Sequence, residues 1–255
     1  MSKRTTPSTR RFSAAEFLAE EIFYGRYQPG DFVPKEVDLA EKFSINRAAV
    51  RSDLRQLVDV GIIERISGYG SRIREYEKWN ILDPQITDWI TRYSYPSPKI
   101  QHDILAFRLS VEPYVAMAAA KCAKARDLVP IEEAFEGMGQ HFHDTDNPEE
   151  YRLHIDSDVA FHVAIFKATN NIVWSQLSHI LLPSIKLLVA ESINCATDTE
   201  DALERHRVLM ECIRSRDAKG AFIASQAVLQ GTAHALSIDQ NDNLFWTEFS
   251  PSQNR

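Results

Sequence analysis

The stretch FSINRAAVRSDLRQL, residues 43–57, decides the architecture of the first third of this chain. Arg47, Arg51 and Arg55 recur at every fourth residue. At about 100° per residue, that spacing lays three guanidinium groups along one stripe of a helix. Val50, Leu54 and Leu57 fall on another side, as an apolar seam does. A helix that is half core and half arginine points to a partner carrying regular negative charge. The pattern predicts a helix over 46–59 that ends near Gly61.

Working outward, FSAAEFLAEEIFYG (12–25) reads as an amphipathic helix with Phe17, Leu18, Ile22 and Phe23 on its apolar side. Gly25, Pro29, Gly30 and Pro34 then punctuate a turn, and 35–43 reads as a short second helix. Beyond the arginine helix, IIERISGYGSRIRE alternates Ile63 and Ile66, and Ile73 follows a turn in which Gly68 and Gly70 bracket Tyr69. That is a hairpin signal. Three helices and a two-stranded wing describe a winged helix-turn-helix.

In such a unit the start of the recognition helix enters the DNA major groove. Arg47 in the first turn and Arg51 one turn on are placed to reach base edges. The arginine fork can bond guanine O6 and N7 together, worth about 1–3 kcal/mol against a wrong base. Arg55, further along, is expected to meet phosphate. Ser44 and Asn46 are expected to cap the helix and donate to the DNA backbone. Lys35 and the wing residues Ser67, Gly68 and Tyr69 complete the expected DNA-facing set. A solvated helix face is the ordinary explanation of a charge stripe. Here the arginines, the turn before them and the glycine wing occur together and in order.

Bulk composition sets bounds on these readings. At 255 residues the chain accommodates two domains, and its net charge of −7 argues against indiscriminate coating of nucleic acid. Residues 1–78 carry 14 basic against 12 acidic side chains, and the remainder 15 against 24. All eight histidines lie in that acidic remainder. Cys122, Cys195 and Cys212 are widely spaced, which fits a reducing cytoplasm better than a disulfide framework. Neither a membrane span nor an apolar signal segment is expected, and MSKRTTPSTRRF reads as a flexible basic arm.

After YEKWNILDPQITDWI (76–90) the strand signals stop, and helical patterns run over 84–94, 99–124, 127–142, 148–169, 172–193, 200–216 and 217–236. The expected organisation is a basic arm (1–11), a winged helix-turn-helix (12–76), a linker (77–83), an all-helical domain (84–237) and a tail (238–255).

In that helical region Asp158 and His162 stand at i and i+4, so both leave one helix face. With His206 they form a donor set suited to a divalent metal such as zinc. A surface or internally satisfied pair is the competing explanation. His154 is a further pole or an exposed side chain, His141 and His143 read as solvated, and His102, His179 and His234 have no spacing partner.

The stretch PGDFVPKEVDLAEKFSINRAAVRSDLRQLVDVGIIERISGYGSRI (29–73) resembles the DNA-binding domain of the GntR family of bacterial transcription regulators. Pro29-Gly30, Pro34 with Glu36, Leu39-Ala40, Arg47, Val50-Arg51, Leu54, Leu57, Gly61, Gly68 and Gly70 all fit its pattern. Two positions depart: Val37 stands where some relatives have a DNA-contacting arginine, and Asn46 replaces the usual serine.

The helical region resembles the effector domain of the FadR-type branch, called FCD. The likeness rests on FRLSVEPYVAMAAA, on Asp158-x-x-Phe161-His162 followed by Asn171, and on RHRVLMECIRSRDAKGA. In many relatives one aspartate and three histidines from these elements hold a metal below a ligand pocket. The resemblance carries Asp158, His162 and His206 across, but Val228 stands where the fourth ligand is expected. It also implies that Arg108 faces the pocket, where its fork suits a carboxylate. The other reading of Arg108 is an ion pair with Glu112, one turn on. WNILDPQITDWI resembles a stretch of FCD regulators of sugar-acid catabolism.

The expectation is therefore a mainly α chain: an N-terminal winged helix-turn-helix plus a C-terminal all-α antiparallel bundle. Its expected function is that of a cytoplasmic, homodimeric repressor that binds a palindromic operator in double-stranded DNA and is released by a sugar-acid carboxylate. The alternatives are a metal-dependent hydrolase or lyase built on Asp158, His162 and His206, or a ligand-independent DNA binder. No HExxH, phosphate loop or assigned base beside the cluster favours the enzyme.

Overall fold

A computed structural model of the protein describes residues 13–93, 98–141, 147–178 and 199–235. The basic arm, the tail, His143, His179, Cys195 and residues 179–193 of an expected helix lie outside the described residues. The chain divides into two compact units, Met1–Ser97 and Pro98–Arg255.

In the first unit, helix α1 (Ala14–Phe23) begins where the Ser13 hydroxyl accepts from the Glu16 amide at 3.1 Å. It buries Ala14, Ala15, Leu18, Ala19, Ile22 and Phe23. Phe17, expected on that face, lies at its edge, where the Lys42 ammonium stands 3.4 Å from the ring centroid. Helix α2 (Glu36–Phe43) stops because Ser44 turns left-handed at φ 52°. Asn46 then caps helix α3 (Arg47–Asp59), its side-chain oxygen accepting from the Ala49 amide at 2.8 Å. Ser44 thus ends the second helix instead of capping the third. Val50, Leu54 and Leu57 are buried, as their spacing predicts.

Gly61 ends this segment at φ +78°, and a Cβ there would sit 2.3 Å from the Lys78 carbonyl oxygen, so only glycine fits. Strands β1 (Ile63–Ile66) and β2 (Gly70–Ile73) pair antiparallel, with Ile63 opposite Ile73 and Ile66 opposite Gly70. Phe32 adds an isolated bridge to Arg72, which fastens the loop before α2 to the wing.

The division between units differs from the expected one. Residues 74–80 are tied to the wing's base. The Asn80 amide donates to the Val60 carbonyl at 2.9 Å, and the Trp79 indole N–H donates to the Arg74 carbonyl at 2.9 Å. Helix α4 (Pro84–Tyr93) packs on α1, burying Ile86, Trp89 and Ile90. Residues 77–83 are therefore not a linker between domains, and 84–93 belong to the first unit. The helical pattern of α4 is legible in the sequence; the surface it packs on is not.

The second unit holds α5 (Pro98–Cys122), α6 (Ala125–Gln140), α7 (Pro148–Ala168), a helical stretch α8 over 172–178, α9 (Thr199–Arg214) and α10 (Ala218–Ala235). Helix α6 packs on α7, α10 packs on α5 and α9, and α5 also meets α7 and α9. Ala116, Ala119 and Ala120 of α5 and Ala221 and Ala224 of α10 are buried, so small side chains let backbones approach closely. Phe161 and Phe166 of α7 fill the space among them. Among the described residues, no helix is long and apolar enough to cross a membrane.

Candidate functional site

The start of α3 and the wing of the first unit present a cationic surface. Arg47, Arg51 and Arg55 are all exposed, as are Lys35, Ser67, Gly68 and Tyr69. The Tyr69 side chain at the wing tip is 70% exposed and lies 6.4 Å, ring to ring, from the half-exposed Phe32. The side chain of Lys35 lies against the Gly70 end of the wing, 3.9 Å from where a Cβ would stand. Asn46 spends its side-chain oxygen on the α3 cap, which leaves its NH2 for other partners. Sequence reasoning overlooked Glu36 and Arg65. Arg51 donates to Glu36 at 2.9 Å, and Arg65 approaches the same carboxylate at 3.5 Å.

The second unit brings Asp158, His162 and His206 together, with one ligand atom from each within 4.8 Å of the others. Asp158 and His162 come from adjacent turns of α7, and His206 comes from α9. All three are buried. The two rings stand edge to face, 5.6 Å between centroids. Phe161 packs edge-on to the His206 ring at 5.3 Å and closes one side of the cluster.

Hydrogen bonds on the far side of each ring set the tautomers. His206 Nδ1 lies 2.8 Å from the Ala202 carbonyl, so it carries the proton and Nε2 is bare. Burial pushes the His206 imidazole down, and neighbouring His162 adds to that effect against the pull of Asp158, so the ring is neutral. His162 Nδ1 lies 2.9 Å from a Glu112 oxygen and donates to it, leaving Nε2 turned to Asp158 at 3.5 Å. His206 Nε2 lies 3.8 Å from the other Asp158 oxygen, buried and without a hydrogen-bond partner among the described residues. An orphaned buried lone pair costs free energy unless something occupies it. Two bare imidazole nitrogens facing one carboxylate fit a divalent cation.

Glu112 is the member that sequence reasoning undervalued. The i,i+4 spacing allows its ion pair with Arg108 but says nothing of burial, and the two side chains are 4% and 3% exposed. Burial would raise the Glu112 carboxyl, but Arg108 and His162 outweigh it and hold it at about 2. Arg108 is thus the ion-pair partner of the acid behind His162. Val228 is buried in the apolar core and supplies no ligand, and His234 is exposed at the end of α10. His154 lies 3.1 Å from the Met138 carbonyl. His141, read as solvated, stands 2.6 Å from Glu150 with its side chain 24% exposed.

Residues 13–73 match the family described as "Bacterial regulatory proteins, gntR family", and residues 103–231 match the FCD domain. The chain belongs to the GntR family, in its FCD-containing branch. This GntR regulator is a DNA-binding transcription regulator and not an enzyme. It is 28% identical over 221 residues to the galactonate operon transcriptional repressor of Escherichia coli K12, covering 86% of this chain and 93% of that one. Over 159 residues it is 32% identical to the Glc operon transcriptional activator of the same organism, 62% of this chain and 59% of that one. Among solved structures, Lar of Listeria monocytogenes superposes with a TM-score of 0.59 at 16% identity, covering 92% of this chain and 100% of that one. That likeness supports the winged helix-turn-helix plus helical-domain fold. Asp158, His162, His206, Arg108 and Glu112 all fall inside the FCD match.

Proposed function

We propose that this GntR regulator is the cytoplasmic, homodimeric repressor of a sugar-acid catabolic operon, released from a palindromic operator by a hexonate or hexuronate bound in its FCD domain. The observation that carries the effector half is the buried, unpartnered Nε2 of His206 facing Asp158 beside His162. Its likeness to a galactonate operon repressor over most of both chains supports the ligand class.

Asp158, His162 and His206 would hold a divalent cation such as zinc. When bound, such a cation supplies a Lewis-acidic centre with positions open to carboxylate and hydroxyl oxygens. The chain's own part is to fix the tautomers: Glu112 holds His162, the Ala202 carbonyl holds His206, and Arg108 neutralises Glu112. Arg108, paired with Glu112, is the cation assigned here to the effector's carboxylate.

On the DNA side, Arg47, Arg51 and Arg55 with Lys35, Asn46, Ser44, Ser67, Gly68 and Tyr69 form the operator-facing surface. One unit spans a half-site, so a dimer meets two half-sites on one DNA face. Effector and operator need only prefer different dimer geometries by about 1–3 kcal/mol.

The test is a thermal-unfolding screen of metal-stripped protein against hexonates and hexuronates with zinc present or absent, followed by operator-release assays with the ligands that stabilise. Stabilisation that needs both metal and sugar acid, and release of the operator by the same compound, is the expected result. A screen in which His162→Ala and wild type respond alike to every compound refutes the reading.

A further inference from the structure

One acid and two cations meet where α2, α3 and β1 converge. Glu36 is the first residue of α2. Arg51 Nε lies 3.2 Å from each Glu36 oxygen, and Arg51 Nη2 donates to Oε2 at 2.9 Å. Arg65, on β1, places Nη1 3.5 Å from Glu36 Oε1 and donates Nη2 to the Arg51 carbonyl at 2.9 Å. The acid is the sheltered member, its side chain 18% exposed against 60% for Arg51. Hydrogen bonding from Arg51, with Arg65 and Arg47 close by, holds the Glu36 carboxyl below the usual carboxylate range, so it is ionised at neutral pH.

An ion pair with one partner this exposed contributes little to stability. The arrangement has a different consequence. A guanidinium presents five N–H groups in a rigid plane. Glu36 occupies the Nε–Nη2 side of that plane. The Nη1–Nη2 end remains, and that end matches the O6/N7 edge of guanine in the major groove. A side chain with four rotatable torsions is thereby held in one pose before DNA arrives, with Arg65 gripping the same acid from the wing strand. The negative charge also weakens attraction to phosphate, which acts on every sequence alike.

We propose that Glu36 is a specificity-determining positioning residue: it fixes Arg51 so that the outer end of its guanidinium reads a guanine, while lowering affinity for unrelated DNA. This stands on the DNA-binding role alone and is independent of the effector and metal readings.

The experiment selects sites from a randomised duplex library with full-length wild type, Glu36→Gln, Arg51→Ala and the double variant. Affinity for the wild-type-selected duplex and for a scrambled duplex is then measured across salt concentrations. For Glu36→Gln we expect an unchanged unfolding midpoint and equal or tighter binding to scrambled duplex. The preference for the selected duplex should fall by at least about fivefold, the equivalent of about 1 kcal/mol of base discrimination. The loss should fall on one guanine position, the one that Arg51→Ala also erases, and adding Glu36→Gln to Arg51→Ala should reduce that preference no further. Wild type should lose the same preference when that guanine is replaced by 7-deazaguanine, a measurement that needs no variant to fold. An unaltered selected motif in Glu36→Gln overturns the proposal. So does uniform weakening on both duplexes, or a wild type indifferent to 7-deazaguanine at every selected guanine.

Discussion

His162 Nδ1 stands 2.9 Å from a Glu112 oxygen, on the opposite side of the ring from Asp158. The acid that fixes the ring therefore lies on α5, while the candidate metal ligands lie on α7 and α9. A carboxylate behind a ligating imidazole raises its basicity and fixes its orientation, and losing one typically weakens metal binding 10- to 100-fold. Glu112→Gln is expected to lower zinc affinity by about that factor. Calorimetric titration of the metal-stripped variant checks this, and wild-type affinity would remove Glu112 from the site.

Arg108 carries a stability prediction that its sequence reading did not contain. With both side chains of the Arg108–Glu112 pair buried, Arg108→Ala leaves an uncompensated carboxylate in the core. Removing one partner of such a pair costs about 3–5 kcal/mol. Replacing both, as Arg108→Met with Glu112→Leu, should recover only part of that loss, because it removes the stranded charge but leaves the buried His162 Nδ1–H without its acceptor. Urea unfolding at neutral pH reads both values. Equal stability of Arg108→Ala and wild type would show that the pair is open to water. A failed effector response in Arg108→Ala is thus interpretable only beside its unfolding curve.

Much of this architecture is legible in the sequence because it is local. The α3 seam, the left-handed stop near Gly61 and the glycine-bracketed wing all follow from short-range periodicity and backbone sterics. The Asp158/His162 pair is visible for the same reason; His206 joins the donor set in the residue reading, and the family resemblance carries it across as well. What escaped is tertiary. Glu112 and His162 are 50 positions apart, and nothing in either neighbourhood announces that they touch. Glu36 and Arg51 are 15 apart, on different helices, and the arginine spacing carries no sign of their ion pair. The first unit's end was misplaced because α4 packs on α1, some 70 residues earlier, through Trp89 and Arg92 onto Glu16.

Glu16 predicts an acid-sensitive first unit. Its carboxylate accepts from Arg92 at 2.8 Å, from the Tyr93 hydroxyl at 2.7 Å and from the Trp89 indole at 3.3 Å. Burial raises this carboxyl, but those partners outweigh it and bring it from 4.5 to about 2. A folded value below the unfolded one means the contribution is complete above about pH 4.5 and is lost as the pH falls toward 2. Solvent reaches the network, so about 1 kcal/mol is expected. Glu16→Gln should lower the unfolding midpoint at pH 7 and narrow its difference from wild type by pH 3. A constant difference across that range would contradict the assignment.

Arg47 and Arg55 separate base reading from phosphate contact along one helix. Both are exposed, but Arg47 is the first residue of α3, just after its Asn46 cap, while Arg55 lies two turns further along. A helix entered by its N-terminal end offers its first turn to base edges and its later turns to the sugar-phosphate wall. Arg47→Ala is therefore expected to lose about 1–3 kcal/mol of preference for the operator over scrambled duplex, with weak, salt-sensitive binding remaining. Arg55→Ala should weaken binding to both duplexes by similar factors and reduce the salt slope by about one unit, with the sequence preference intact. Equilibrium titrations on both duplexes at several salt concentrations distinguish the two. An Arg47→Ala protein with undiminished preference would mean that α3 meets DNA in another orientation, and the base contacts would then have to be sought on its later turns.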